Sequence, residues 1–447
     1  MRPVKNIKIK YHQEPSPPMN RPQKFLEAFA AMLKHSHYGY ILDHFARIGT
    51  KCARCAVACP VHEATGRPED IPCYRSELLL RVYRRHFTLE GRLQARIFGA
   101  PPLSDEDIDT MAEAFYRCTA CRRCNFECPM GIDHGMITHL GRHILSEIGV
   151  VPKALHVSVR EQLAGKTGNT SAIPLPALLD TLSFLEEELR EQFNKEIKFP
   201  VDVEGAEYVF FAPVSDYLLE PDTLMGQAAV FFATGDSWTI GTGNYDGINY
   251  GLFYNDRFLE DIIKRELAEV RRLKGKKILI GECGHASRAA KVFVPAYGGE
   301  DAPPVINIIE YTCQAMESGK VRLRPDVIKE RVTYHDPCNI ARSGWIVDQP
   351  RKILRSFIKD FVEMEPHGCN NYCCGGGSGT VSVDEIRAFR TSIGGAKKAE
   401  QLRATGAQYV VAPCANCKKQ LREVIEDHKL DMEVIGLHDL VLKAIAL

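Results

Sequence analysis

The chain has 447 residues and sixteen cysteines, and those cysteines are grouped. Eight stand between residues 52 and 128 and six between 338 and 417. This grouping constrains the fold more than any other feature. Clustered thiols are either disulfides in an oxidising compartment or metal ligands and catalysts in a reducing one. Residues 1–20 contain neither the apolar core of a secretion signal nor a twin-arginine pair. No apolar run approaches the roughly 18 residues that a membrane-spanning helix needs. The expectation is an intracellular metal protein, soluble or held at a membrane through a partner. Lys+Arg and Asp+Glu both count 57, so the formal charge is zero, and no nucleic-acid partner is expected.

Residues 118–129 read C-T-A-C-R-R-C-N-F-E-C-P, which is the C-x2-C-x2-C-x3-C-P spacing of bacterial ferredoxins. Three thiolates on one tight loop wrap a [4Fe-4S] cube, and the fourth, stopped by Pro129, points to a second cube. Residues 52–60, C-A-R-C-A-V-A-C-P, supply a shortened second run in which Gly49 stands at the first cysteine position. The spare thiol nearest to it is Cys73. The expected sets are therefore Cys118, Cys121, Cys124 and Cys59 for one cube, and Cys52, Cys55, Cys128 and Cys73 for the other. In the alternative Cys73 is a buried bystander. Zinc usually takes two separate C-x2-C knuckles and fits this spacing poorly. His139 and His143, at i and i+4, read as helix-surface residues rather than ligands.

The rest of the chain divides by pattern. Residues 1–21 read as an extended polar arm. Phe25, Leu26, Phe29, Met32 and Leu33 then recur at helical spacing, facing either the core or a membrane partner as a docking helix. The stretches SELLLRVYRRHF, with Ser76 as N-cap, and IDTMAEAFYRC read as helices. Residues 165–176 form a Gly/Pro-containing linker. From about residue 205, short apolar strands alternate with helices, an α/β pattern. This half looks duplicated. VFFAPV aligns with VTYHDPC, ILIGECGHA with YVVAPCANC, and INIIEY with VIGLHD, in one order and at nearly constant separation.

The second copy contains Cys338, the pair Cys373-Cys374 followed by Gly375, and Cys414-x2-Cys417. Adjacent cysteines cannot easily bind one iron, because successive side chains diverge. The set suits a cluster with separated iron groups, and the glycines at 375–377 and 379 let backbone come close to it. On these motifs, over about residues 45–447, the sequence resembles the CCG-domain family typified by the catalytic iron–sulfur subunit of heterodisulfide reductase. Its fused architecture is similar to the D subunit of the membrane-bound enzyme, the K subunit of the sulfite-reduction-associated membrane complex and the B subunit of the tetrahaem cytochrome c membrane complex of sulfate reducers.

The resemblance implies a non-cubane [4Fe-4S] cluster on Cys338, Cys373, Cys374, Cys414 and Cys417. In the first copy Val214, Tyr245, Asp246 and Ala286 replace four of those cysteines, so that copy is expected to be degenerate and empty. Its remaining Cys283, with His285, is expected to bind or protonate a substrate sulfur at the intact cluster, or else to be a packed relic. Cys369 is a candidate auxiliary ligand, Cys313 a core residue, and His335 a hydrogen-bond partner of a cluster sulfur.

The implied fold is an α-helical two-cluster ferredoxin domain followed by two α/β CCG repeats. The expected boundaries are an arm and docking helix at 1–48, the ferredoxin domain at 49–164, a linker and helix at 165–204, the degenerate repeat at 205–325 and the intact repeat at 326–447. The implied function, in sulfate-reduction energy metabolism, is delivery of electrons from a membrane cytochrome b-type subunit to a disulfide or trisulfide. A small cytoplasmic sulfur-carrier protein is the expected substrate, and a multihaem cytochrome c a further subunit. The expected place is the inner face of the cell membrane, reached through a partner. The alternative is the iron–sulfur conduit of a flavin-dependent dehydrogenase of glycolate or glycerol-3-phosphate type that donates to quinone.

Overall fold

A computed structural model describes residues 9–12, 20–99 and 101–447. Most of the expected N-terminal arm lies outside the described residues. The chain forms two compact units, and neither is a single contiguous stretch. The first holds the residues up to His156 together with Phe253–Asp256 and Gly375–Lys397, and the second holds the remainder.

The first unit is helical. In helix Arg21–Lys34 the apolar positions Phe25, Phe29 and Met32 are buried, and Phe29 packs on Tyr83 and Phe87 of helix Pro72–Phe87. The face that sequence periodicity offers for docking is thus spent on the unit's own core. Ser76 is not an N-cap. The helix begins at Pro72, and Ser76 lies inside it, buried, with its hydroxyl 2.8 Å from His134 Nδ1. Proline suits the first turn, where its missing N–H would be unpaired anyway, so the start moves upstream of the serine. Helix Asp105–Tyr116 is capped by Ser104, which accepts from Asp107 N while Asp107 accepts in return from Ser104 N. Strands β1 (Tyr11–His12) and β2 (Val151–Pro152) form a short antiparallel pair.

Helix His134–Glu147 runs through the core of this unit. Its Arg142 is fully buried, and among the described residues no carboxylate bonds it. The guanidinium instead donates to the carbonyls of Phe115 (2.7 Å), Cys118 (2.6 Å), Phe253 (3.1 Å) and Ser378 (3.0 Å), and lies over the Tyr116 ring. One cation therefore joins the loop of the second cysteine run to the two segments that reach this unit from far along the chain. His139 and His143 of the same helix hold another part of one such segment. His139 Nε2 lies 2.6 Å from Asp256 Oδ1, and Asp256 N donates to His143 Nδ1. Burial works to raise the Asp256 carboxyl, but the charge of His139 and the bonds from His139 and Tyr38 outweigh it and hold it well below the usual range.

The second unit contains helix Leu175–Phe193, whose Leu178, Leu182, Leu185 and Leu189 are buried while its acidic run faces water. It also contains two all-parallel four-stranded sheets. The first is built from β3 (Tyr208–Phe211), β4 (Trp238–Ile240), β5 (Lys277–Ile280) and β6 (Val305–Asn307), in the order β4-β3-β5-β6. The second is built from β7 (Val332–Tyr334), β8 (Phe361–Val362), β9 (Tyr409–Val411) and β10 (Glu433–Ile435), in the order β8-β7-β9-β10. Strand order and direction are the same in both, and β3, β5 and β6 carry the three sequence blocks that align with β7, β9 and β10. The fold is therefore a helical ferredoxin-type domain followed by two α/β repeats, the first degenerate.

Replacing Arg142 with Met keeps most of the side-chain volume but leaves buried carbonyls unpaired. The expected cost is about 3 kcal/mol of stability. Thermal unfolding monitored by circular dichroism measures it, and an unchanged midpoint would remove Arg142 from this role.

Candidate metal centres

The two N-terminal cysteine runs fold alike. Lys51 and Ala53 in the first, and Ala120 and Arg122 in the second, have left-handed backbone with φ of 51°, 60°, 47° and 60°. Aligned on Cys-Pro, these are equivalent positions, and each pair precedes a short helical turn, Arg54–Ala58 or Arg123–Phe126. Non-glycine residues take this conformation at a cost and only where the surroundings demand it. Here it curls the loop so that N–H groups face sulfur, as when Ala120 N donates to Cys118 Sγ at 3.4 Å.

Cys52, Cys55, Cys73 and Cys128 line one cavity, with His134 and Ser76 in its wall. Cys73 reaches it from the first turn of helix Pro72–Phe87. A bond between Cys55 and Cys73 pushes the Cys55 thiol up and draws Cys73 down to about 6 against its burial. Burial draws His134 down to about 4. Cys59, Cys118, Cys121 and Cys124 form a second group that interact through their charges, and burial raises Cys59 and Cys124. Buried Arg75 lies beside this group. Desolvation disfavours its charge, but the charges of Cys118, Cys59, Asp70 and Cys124 outweigh that. Cys73 thus stands with Cys52, Cys55 and Cys128, and Cys59 stands with Cys118, Cys121 and Cys124.

In the second unit, β5 and β9 end in the same turn. Cys283 N donates to Gly281 O (2.7 Å) and Cys414 N to Ala412 O (2.8 Å), after which each cysteine caps a helix, Gly284–Gly298 or Ala415–His428. The two turns meet, with Ala415 N donating to Glu282 O at 3.3 Å. Five thiols follow one another in contact: Cys283, Cys414, Cys417, Cys374 and Cys373. Cys374 Sγ and Cys417 Sγ are 3.6 Å apart, and His335 offers a nitrogen within 4.8 Å of both. His285 Nδ1 is 3.1 Å from Cys283 Sγ, and its ring also bonds Cys414. Bonds from Cys283 and Cys417 hold the Cys414 thiol well below its ordinary range, and bonds from Cys373 and Cys417 do the same for Cys374. Burial, reinforced by the bond to Cys414, pushes the Cys283 thiol well above its ordinary range.

Cys338 is buried at the start of helix Cys338–Gly344. The loop before it is fixed by Asp336, whose carboxylate takes two bonds from Arg351, both 2.9 Å, and one from Gly368 N at 2.7 Å. Cys369 Sγ donates to Ala341 O, and Cys313 is buried in helix Ile308–Glu317. In the first repeat the position of the cysteine pair is filled. The Asp246 carboxylate accepts from Val214 N, Ile248 N, Thr170 N and the Thr170 hydroxyl, and the Tyr245 hydroxyl bonds Asn169 and Ile173 O.

The contacts between the repeats rest on groups that motif reading passes over. Glu282 is fully buried and accepts from His438 N and bonds His438 Nδ1, both at 2.7 Å. Lys418 Nζ lies 3.7 Å from the same carboxylate, 3.4 Å from Glu220 and 2.6 Å from Thr223 Oγ1. Burial disfavours the Lys418 charge, but Glu282, Asp439, Asp216 and Glu220 more than offset this. Glu282 and Lys418 adjoin Cys283 and Cys417 in sequence, which is the one signal that could have flagged them.

Soft sulfur donors gathered in three groups, with buried histidine and arginine around them, are a donor set for iron–sulfur clusters. Two family models match the chain: a 4Fe-4S dicluster domain over residues 50–132 and the CCG cysteine-rich domain over residues 332–422. The chain thus carries a 4Fe-4S dicluster domain and a CCG cysteine-rich domain, and it is similar to iron–sulfur subunits of the Hdr-like and heterodisulfide reductase kind. It is 27% identical to the Hdr-like menaquinol oxidoreductase iron-sulfur subunit 2 of Archaeoglobus fulgidus, over 96% of this chain and 84% of that one. It is 24% identical to the D subunit of the dihydromethanophenazine:CoB--CoM heterodisulfide reductase of Methanosarcina mazei, over 89% of this chain and 93% of that one. A probable membrane-anchored ferredoxin of Chromohalobacter salexigens is 26% identical over 84% of this chain and 56% of its own length. The chain is thus an iron–sulfur electron-transfer protein of the Hdr-like kind. Among the described residues no helix is long and apolar enough to cross a membrane.

Replacing Glu282 with Gln removes one of the carboxylates that answer buried Lys418 and weakens the bond to His438. The expected loss is about 3 kcal/mol, read as a lower denaturant midpoint at unchanged slope. A midpoint equal to wild type would show that the pair does not hold the repeats.

Proposed function

We propose that this chain is the disulfide-reducing iron–sulfur subunit of a membrane-associated complex. The observation that carries the reading is the buried run of five thiols from Cys283 to Cys373 between His285 and His335, where both repeats contribute. Cys52, Cys55, Cys73 and Cys128 would hold one [4Fe-4S] cluster, and Cys59, Cys118, Cys121 and Cys124 the other. Cys338, Cys373, Cys374, Cys414 and Cys417 would hold the non-cubane cluster. When bound, such clusters supply one-electron transfer.

The remaining chemistry falls to side chains. A disulfide R–S–S–R′ takes two electrons and two protons to give RSH and R′SH. Cys283 lies beside the ligand Cys414 without belonging to the ligand set, so it is placed to contact a substrate sulfur. His285, in contact with both thiols, stands where it could deliver a proton to a leaving thiolate. His335 orients Cys374. Supply of electrons by a cytochrome b-type membrane subunit, a multihaem cytochrome c as a further subunit, attachment at the cytoplasmic face of the membrane and a sulfur-carrier protein as substrate belong to the same proposal.

Two measurements test it. Thiol-treated, oxidised protein should give a paramagnetic signal that ordinary cubes do not, and its absence favours the conduit reading. Cys374→Ser should keep the N-terminal cluster signals while losing disulfide reduction with an artificial donor by about a thousandfold. Full activity in that variant would place the chemistry elsewhere.

A further inference from the structure

Helix Leu89–Phe98 presents its large apolar side to the outside. Leu89, Leu93 and Ile97, at i, i+4 and i+8, are 86%, 59% and 64% exposed, and Phe98 is 80% exposed. No residue of the helix is buried. Its small residues face inward instead. Gly91 lies so close to helix Pro72–Phe87 that a Cβ there would sit 1.9 Å from Arg84 O. Both ends are capped, by Thr88, which accepts from Gly91 N, and by Gly99 in left-handed conformation. A helix docked through glycine, capped at each end and turned with its leucine ridge outward is held in that orientation by its own sequence. Among the described residues nothing covers the ridge.

The charge around it indicates what does. Residues 81–98 contain five arginines and one acidic residue, Glu90, in a chain of zero formal charge. Arg81 is answered by Asp107 and Arg84 by Glu77; Arg92, whose Nε donates to His86 O at 2.7 Å, and Arg96 are exposed alongside the ridge. Next to them is a groove of about 490 Å³ lined by Arg81, Arg85, His86 and Phe98. The ridge is a single convex stripe bordered by positive charge, which suits a deformable negative surface better than a shaped protein groove. We propose that this face lies directly on an anionic lipid bilayer. Leu89, Leu93, Ile97 and Phe98 enter the headgroup–acyl boundary, and Arg92 and Arg96 lie among the phosphates. This contact is independent of the redox reading and needs no other protein.

The full chain with its clusters, sedimented with vesicles of equal parts phosphatidylcholine and phosphatidylglycerol, should bind. Binding should weaken as salt rises and when phosphatidylglycerol is left out. Leu93→Glu with Ile97→Glu should lower the partition coefficient about tenfold per side chain. Leu93→Ala with Ile97→Ala should move it the same way without added charge. Phe184→Glu, at a position 57% exposed on helix Leu175–Phe193, should leave it unchanged. The proposal is overturned if wild type does not sediment with the mixed vesicles, if the ridge variants bind like wild type, or if Phe184→Glu loses as much.

Discussion

A buried cation answered by carbonyls rather than by a carboxylate holds the first unit together. The Arg142 guanidinium is out of water, and its partners are four carbonyls, the Ser378 hydroxyl and one aromatic ring. Those carbonyls come from residues 115, 118, 253 and 378, so the interaction defines which parts of the chain make this unit. Buried polar groups are costly unless every one finds a partner. The segments around Phe253 and Ser378 are therefore drawn to the helix that carries Arg142. One partner is the carbonyl of Cys118, the first thiol of its run. Ser378 belongs to the glycine-rich run that follows Cys374 directly, and a Cβ on Gly377 of that run would lie 2.6 Å from Thr119 O. Glycine there permits backbone of the run to lie against the cysteine loop.

The second unit shows how a duplicated α/β motif divides its labour. Both repeats keep the strand order and the turn that places a cysteine at a helix start. In the first repeat, aspartate and tyrosine stand where the cysteine pair would be, and their oxygens are bonded by backbone and side chains, so the framework survives without thiolates. The turn that retains Cys283 is pressed against the turn of Cys414 by Glu282, His438 and Lys418. A copy with a single thiol of that set thereby holds one thiol and one imidazole against Cys414 of the other copy.

Much of the cysteine chemistry was legible in the chain, because ligand spacing on a tight loop is a local property. C-x2-C-x2-C-x3-C-P curls in one way, and both runs do so with left-handed residues at equivalent places. The duplicated sheets were legible for a similar reason, since buried parallel strands leave short apolar runs that can be aligned. Other features were not. Ser76 has the chemistry of a helix cap, but Pro72 starts the helix and His134 takes the hydroxyl. Helix Arg21–Lys34 and helix Leu89–Phe98 both carry apolar residues at helical spacing, and one buries them while the other exposes them. Periodicity reports that a stripe exists, not which surface meets it.

The order of residues was enough to establish that iron–sulfur chemistry is available, which thiols lie on which loop, and that the second half repeats an α/β unit. These depend on residues close together in the chain. Folding was needed to bring Cys73 into a cavity with Cys128, to set Cys283 and His285 against Cys414, and to recruit residues 253–256 and 375–397 into the helical unit. Such juxtapositions are made by buried charges and hydrogen bonds, through Arg142, Asp256, Glu282 and Lys418, whose partners lie tens to hundreds of residues away. A buried charge is stable only where its partners converge, and convergence is a property of the folded chain.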